Sequence, residues 1–90
     1  MLKTLEDLIA TIRQRKSSSD ESSYTAKLLK DKPLSVEKVK EEISELIEAV
    51  ENNSNKVHEA ADVLYHLLVY LEANEIKIED VMEELNKRKK

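Results

Sequence analysis

Two groups of acidic residues stand at helical spacing in the middle of the chain. Glu41, Glu42 and Glu45 form the pattern E-E-x-x-E, and Glu59 and Asp62 form the pattern E-x-x-D. Residues three or four positions apart lie on one side of a helix, so the carboxylates within each group are close neighbours. Like charges at that distance repel one another, and a divalent cation would turn this repulsion into ligation.

The donor set indicates which cation and which reaction to expect. Carboxylates are hard oxygen ligands, which suit Mg²⁺ or Mn²⁺ better than Zn²⁺. Mg²⁺ usually keeps several waters and shares the phosphates of a substrate. The pattern therefore predicts a metal-assisted transfer of a phosphoryl or nucleotidyl group to water. Because the sequence has no Gly, a glycine-rich phosphate loop is excluded.

The second acidic pair lies on an unusually apolar segment. Between Val57 and Leu71, eleven of fifteen residues are apolar. On a helix, Glu59, Asp62 and His66 fall within roughly 60° of one another and form a narrow polar stripe. Carboxylates are almost never buried unless they are paired or bound to metal. The segment therefore favours a metal site, although E-E-x-x-E alone is more typical of a solvated helix face.

Other interpretations of these residues stay open at this point. The acids of the apolar segment could be satisfied by Lys38 or Arg15 instead of a metal. His66 is expected to be a structural partner of Asp62, four residues earlier, rather than a ligand. His58 is expected to be an exposed residue of the first helical turn.

Five helical segments account for most of the chain, and no segment has the period of a strand. Ser17 to Ser23 is a polar loop, and Pro33 is expected to separate the second helix from the third. Ser35 is the predicted N-cap of the third helix. The predicted helices cover residues 2–16, 24–30, 35–51, 55–73 and 79–89.

The short turn at residues 52–55 makes the third and fourth helices antiparallel neighbours. The predicted fold is therefore an all-α, small helical bundle around a central antiparallel pair, as a single domain over residues 1–90. A chain of this size buries a small core, so we expect a second copy to complete the bundle. The predicted core stripe of the third helix is Val36, Val39, Ile43, Leu46, Ile47 and Val50.

Composition limits the partners and the compartment. The net charge of −4 argues against a surface dedicated to nucleic acid. No apolar run approaches the roughly 18 residues of a membrane span, and Leu2 to Ala10 is too often charged for a signal peptide. There is no Cys. We expect a cytoplasmic protein that binds neither nucleic acid nor membrane.

Three segments resemble the phosphoribosyl-ATP pyrophosphohydrolase family within the all-α nucleoside-triphosphate pyrophosphohydrolase superfamily. The first is Arg15-Lys16 followed by S-Y-T-A-K-L-L from Ser23. The second is K-V-K-E-E-I-S-E from Lys38, and the third is E-A-A-D-V-L-Y-H-L-L from Glu59. The resemblance covers essentially the whole chain, and one departure is Lys40 where the family usually has Gly.

The resemblance implies Mg²⁺-dependent hydrolysis of phosphoribosyl-ATP to phosphoribosyl-AMP and pyrophosphate, the second step of histidine biosynthesis, in a homodimer or higher assembly. It implies that the metal-site acids are Glu41, Glu42, Glu45, Glu59 and Asp62, with Glu42 and Glu45 as catalytic candidates. The substrate-binding candidates are Arg15, Lys16, Tyr24, Thr25 and Lys38. The alternatives are a housecleaning pyrophosphatase for non-standard nucleotides and a non-catalytic helical dimer.

Overall fold

The computed structural model describes residues 2–17 and 23–89. Most of the predicted loop at residues 17–23 lies outside the described residues. Within the described ranges the chain forms five helices and no strand, which confirms the all-α prediction. The helices are α1 (Leu2–Lys16), α2 (Tyr24–Lys30), α3 (Lys32–Asn52), α4 (Lys56–Ala73) and α5 (Ile78–Lys87).

The start of α3 differs from the prediction, because Asp31 and not Ser35 is its N-cap. The Asp31 carboxylate accepts a hydrogen bond from the Leu34 backbone N–H at 3.1 Å. The Asp31 backbone N–H also bonds the Lys27 carbonyl, so one residue ends α2 and begins α3. Pro33 lies in the first turn of α3, where the missing N–H has no intrahelical partner to lose. Ser35 is buried inside that turn.

A tight turn joins α3 to α4 and makes them an antiparallel pair, as predicted. Asn53 adopts a left-handed conformation at the end of α3, with φ of 52° and ψ of 48°. The Ser54 N–H then bonds the Ala49 carbonyl at 3.0 Å, which closes the last turn of α3. Asparagine tolerates this backbone region better than most residues, and it takes the place that glycine usually has. The contact between α3 and α4 is the largest between any two helices.

The apolar core lies at one end of the bundle. It contains Ile12 of α1, residues of α2, and the C-terminal half of α4. Leu28 and Val69 are fully buried there. The fully or largely buried members are Ile12, Leu28, Leu29, Leu68, Val69 and Ala73. The N-terminal half of α4, which carries the acidic pair, is therefore packed on α3 outside this core.

The predicted core stripe of α3 is only partly buried in this chain, because Val36, Val39 and Leu46 are half-buried and the other three members are exposed. Ile43, Ile47 and Val50 are 42%, 54% and 57% exposed. The buried residues of α3 are instead Ser35, Glu42 and Ala49, at intervals of seven. On α4, Val57 and Leu64 are also exposed, although they belong to the unusually apolar segment from Val57 to Leu71. The central pair thus has acids on its inner face and apolar side chains on its outer face.

Two further features complete the fold. The Arg13 guanidinium of α1 makes two hydrogen bonds to the Glu79 carboxylate of α5, at 2.6 and 2.9 Å. It also bonds Glu72 near the end of α4, so one side chain links three helices. None of the helices in the described residues is both long and apolar enough to cross a membrane.

Candidate active site

Four carboxylates gather between α3 and α4, and we call them the acid cluster: Glu42, Glu45, Glu59 and Asp62. One carboxylate oxygen from each of Glu42, Glu45 and Glu59 lies within 4.8 Å of the others. A second group, His58, Glu59 and Asp62, satisfies the same limit. Glu59 belongs to both groups and therefore lies at the centre of the site.

Two oxygens of the acid cluster are buried without a partner. Glu42 is only 9% exposed, and its Oε2 atom makes no hydrogen bond in the described part of the chain. The Oε2 atom of Glu59 is also buried and has no hydrogen-bond partner among the residues that the structure describes. A buried carboxylate oxygen without a hydrogen bond loses its hydration and gains nothing in return, which costs free energy. Each of these two atoms is therefore free, within the described residues, to accept a hydrogen bond or to coordinate a cation.

The electrostatics of the cluster agree with its geometry. Burial raises the pKa of the Glu42 carboxyl, and the neighbouring Glu45 carboxyl raises it further. Burial likewise raises the pKa of Glu59, with Glu45 and Asp62 adding to the effect. A carboxyl that loses water and faces other carboxylates resists ionisation. A bound cation would reverse these effects, because an opposite charge favours the ionised form.

His58 is a member of the site that sequence reasoning did not select. Its Nε2 atom lies 3.4 Å from the Asp62 Oδ2 atom, one helical turn later. The histidine side chain is 71% exposed, as expected for the first turn of α4. The signal in the sequence was the four-residue spacing between His58 and Asp62, which places the two on one face. Its contact with Asp62 makes it an outer neighbour of the cluster.

Glu41, the fifth predicted metal acid, lies outside the cluster. Its carboxylate is half-exposed and pairs with the Lys38 ammonium at 3.5 Å. This pair lies at the rim of the site, since Lys38 stands four residues before Glu42 on the same helix. Lys38 does not neutralise the apolar-segment acids. Its partner among the described residues is Glu41 on its own helix.

The predicted substrate hydroxyls of Tyr24 and Thr25 are both bonded to α4. The Tyr24 hydroxyl lies 3.1 Å from the Nε2 atom of His66. The Thr25 hydroxyl makes a short hydrogen bond with the Tyr65 hydroxyl. His66 is a partner of the Asp62 residue, as expected, but through its Nδ1 atom and the backbone carbonyl at 2.9 Å. Two consecutive residues of α2 therefore form hydrogen bonds with two consecutive residues of α4.

The two basic candidates of α1 lie away from the acid cluster. The Lys16 ammonium donates to the Glu72 carbonyl at 2.8 Å and pairs with the Glu75 carboxylate at 3.0 Å. These contacts are at the C-terminal end of α4, about 20 Å along the helix from Glu59. Arg15 is partly buried and makes no ion pair with an acid that the structure describes. Their assignment to substrate binding stays a prediction.

These features define the class of the protein: an all-α bundle with a carboxylate cluster that suits a hydrated divalent cation. Comparison with known proteins gives the family. Residues 5–89 match the family described as phosphoribosyl-ATP pyrophosphohydrolase. The chain is 47% identical over 87 residues to a phosphoribosyl-ATP pyrophosphatase of Rhodobacter capsulatus, covering 93% of this chain and 84% of that protein.

Two further relatives carry the same name. The protein of Ruegeria pomeroyi is 49% identical over 93% of this chain and 83% of its own length. The protein of Haloarcula marismortui is 41% identical over 94% of this chain and 92% of its own length. The chain therefore belongs to the phosphoribosyl-ATP pyrophosphohydrolase family, and it is a hydrolase.

Proposed function

We propose that this protein hydrolyses phosphoribosyl-ATP to phosphoribosyl-AMP and pyrophosphate with Mg²⁺, as a cytoplasmic enzyme of histidine biosynthesis. The observation that carries the metal requirement is the pair of orphaned carboxylate oxygens, Glu42 Oε2 and Glu59 Oε2. Glu42, Glu45 and Glu59 each offer one carboxylate oxygen within 4.8 Å of the other two. The proposed substrate follows from the names of the relatives reported above.

The residues present fit Mg²⁺. The acid cluster offers hard oxygens from two rigid helices, and Asp62 adds a fourth carboxylate beside Glu59. Glu42, Glu45, Glu59 and Asp62 would hold the ion, with Glu41 at the rim as the weakest candidate. When bound, Mg²⁺ neutralises phosphate charge and lowers the pKa of a coordinated water.

The other residues of the site receive the substrate and move a proton. Lys38 lies at the rim, where its ammonium can meet a phosphate as a point charge. Glu42 and Glu45 are the proposed catalytic pair, because a carboxylate that the metal would not fully engage can take the proton of the attacking water. Glu45 is exposed and can reach that water, whereas Glu42 is buried.

We further propose that a second copy of the chain covers the outer face of α3 and α4. Ile43, Ile47 and Val50 of α3 and Val57 and Leu64 of α4 leave a large apolar surface in one chain. Exposed apolar patches of this kind usually mark an interface. Leu64→Glu is expected to shift the sedimentation coefficient toward that of a monomer, and Met82→Glu on α5 is the matched control.

A pyrophosphate-release assay tests the reaction. With Mg²⁺, we expect release from phosphoribosyl-ATP and much slower release from a panel of ordinary and non-standard nucleoside triphosphates. Chelation by EDTA should stop it, and added Mg²⁺ should restore it. Preference for a plain deoxynucleotide would overturn the substrate while leaving the metal site, and turnover in EDTA would overturn the metal requirement.

A further inference from the structure

A three-ring group fastens α2 to α4 just beyond the acid cluster. Tyr24, Tyr65 and His66 lie with ring centres 5.0 to 6.4 Å apart. Both tyrosines meet the His66 ring edge-on, and they stack on each other. His66 is only 7% exposed. The imidazole is therefore held by packing as well as by its two hydrogen bonds.

The direction of the hydrogen bonds follows from the chemistry of the partners. A backbone carbonyl can only accept, so the contact of His66 Nδ1 with the Asp62 carbonyl requires a proton on Nδ1. In a neutral imidazole the Nε2 atom then has a lone pair and accepts. With this neutral tautomer, the Tyr24 hydroxyl is the donor to His66 Nε2. The single proton of the Tyr24 hydroxyl is therefore used in the hydrogen bond to the histidine.

This hydrogen bond determines which ligand groups the Tyr24 hydroxyl can bind. A hydroxyl whose proton is donated elsewhere presents only lone pairs, and the oxygens of a phosphate also only accept. Direct binding of phosphate by Tyr24 would need the bond to His66 to break. The arrangement instead makes a continuous chain from the Tyr24 hydroxyl through the imidazole to the backbone of Asp62.

We propose that Tyr24 and His66 are positioning residues, which hold the Asp62 turn of α4 against α2, and that Tyr24 is not a phosphate ligand. Thr25 supports the same contact through Tyr65. The inference rests on the proposed function, in which Asp62 is a metal-site acid. Removing the bond would let the Asp62 turn shift, so the metal would bind more weakly. Groups that orient metal ligands typically change metal affinity or activity by about 10- to 100-fold.

A double-mutant cycle tests the pair. The proteins are the wild type, Tyr24→Phe, His66→Phe and the double variant, each checked for helix content by circular dichroism. The measurements are Mn²⁺ affinity of the metal-free protein by titration calorimetry, and kcat and KM for phosphoribosyl-ATP. Tyr70→Phe is the matched control, because it removes a hydroxyl from α4 that bonds no described side chain.

We expect Tyr24→Phe to weaken Mn²⁺ binding and to lower kcat, each by about 10-fold, with KM within about twofold of the wild type. The double variant should be no worse than His66→Phe, because both changes break one chain of bonds. A raised KM with unchanged kcat and Mn²⁺ affinity would make Tyr24 a substrate ligand and overturn the inference. Additive effects of the two changes, or no effect of Tyr24→Phe, would also overturn it.

A parallel variant separates this inference from the proposed function. If Asp62→Asn keeps both activity and Mn²⁺ binding, the metal site itself is wrong. If Asp62→Asn loses both while Tyr24→Phe keeps both, only the positioning role is wrong. Should His66→Phe fail to fold, the Tyr24→Phe measurements decide the question alone, because that substitution keeps the ring and its packing.

Discussion

Two sets of carboxylates lie at opposite ends of α4, and they have opposite partners. Near the N-terminus, Glu59 faces other carboxylates, and its pKa is raised by burial and by Glu45 and Asp62. Beyond the C-terminus, Glu79 faces the Arg13 guanidinium, which lowers its pKa to about 2. A glutamate is thus repelled by neighbouring carboxylates at one end of α4, whereas a glutamate near the other end is compensated by a guanidinium.

The difference separates a structural charge cluster from a functional one. Arg13 and Lys16 satisfy the acids that link α1, α4 and α5, and this linkage is complete without a ligand. The acid cluster has two buried oxygens that find no hydrogen-bond partner in the described part of the chain, so its charges are not compensated by the chain in the same way. An arrangement that costs stability in the folded chain is typical of a binding or catalytic site.

The largest expected effect is on activity when the functional cluster is changed. Asp62→Asn and Glu59→Gln should each lower the rate of pyrophosphate release by at least about 100-fold, because each removes a charge from the metal site. The helix content should stay the same. Glu83→Gln, an exposed acid of α5, is the matched control. Full activity in Asp62→Asn would contradict the conclusion that the acid cluster differs in function from the other set of carboxylates.

The next effect concerns the stability of the metal-free protein. The pKa of Glu42 is raised in the fold, mainly by burial and then by Glu45. The folded state therefore loses stability relative to the unfolded chain as pH rises above the ordinary value of 4.5. Glu42→Gln should raise Tm at pH 8 by roughly 4–8 °C, the shift that about 1 kcal/mol gives in a domain of this size.

The difference between Glu42→Gln and the wild type should shrink at pH 4 and also when Mg²⁺ is added. Thermal unfolding of both proteins is followed by circular dichroism at pH 8 and pH 4, and at pH 8 with Mg²⁺. A lower Tm for Glu42→Gln at pH 8 without metal would show that the cluster stabilises the fold, contrary to the comparison.

A smaller effect of opposite sign is expected at the compensated end. The pKa of Glu79 is lowered to about 2, chiefly by its hydrogen bond to Arg13. Its contribution to stability is present above the ordinary value of 4.5 and is lost as pH falls toward about 2. Glu79→Gln should therefore lower Tm at pH 6 and have little effect near pH 2.

When both variants are measured under the same conditions, their Tm differences from the wild type should change with pH in opposite directions. The difference should become more negative with rising pH for Glu79→Gln and more positive for Glu42→Gln. Glu83→Gln on the same helix serves again as the control. Parallel slopes for the two variants would mean that the two sets of carboxylates do not differ in the way described.

The smallest contrast is between two lysines predicted to bind substrate. Lys38 lies at the rim of the acid cluster, whereas Lys16 is bonded to Glu72 and Glu75 at the other end of α4. Lys38→Met should raise the KM for phosphoribosyl-ATP more than Lys16→Met does. Lys16→Met should lower Tm instead. Steady-state kinetics and thermal unfolding of both variants decide this, and an equal rise in KM would assign both lysines to the substrate.

Periodicity in the sequence predicted the helices well, because α1, α2 and the end of α4 depend on local spacing and capping. The start of α3 was wrong for a local reason: Asp31 is a better N-cap than Ser35, and Pro33 is tolerated in a first helical turn. The buried face of α3 was predicted only in part, for a non-local reason. Ile43 and Ile47 form an apolar stripe, but in one chain the inner face belongs to Glu42 and Ala49.

The sequence by itself determined an all-α chain, a central antiparallel pair and the acids Glu42, Glu45, Glu59 and Asp62, because helical spacing fixes which side chains share a face. Only the tertiary structure decided which charges are compensated. Glu72 and Glu79 meet Arg13 across distances of 59 and 66 residues in sequence. It also decided that Tyr24 bonds His66, since contacts between helices depend on how their faces meet and not on spacing within either helix.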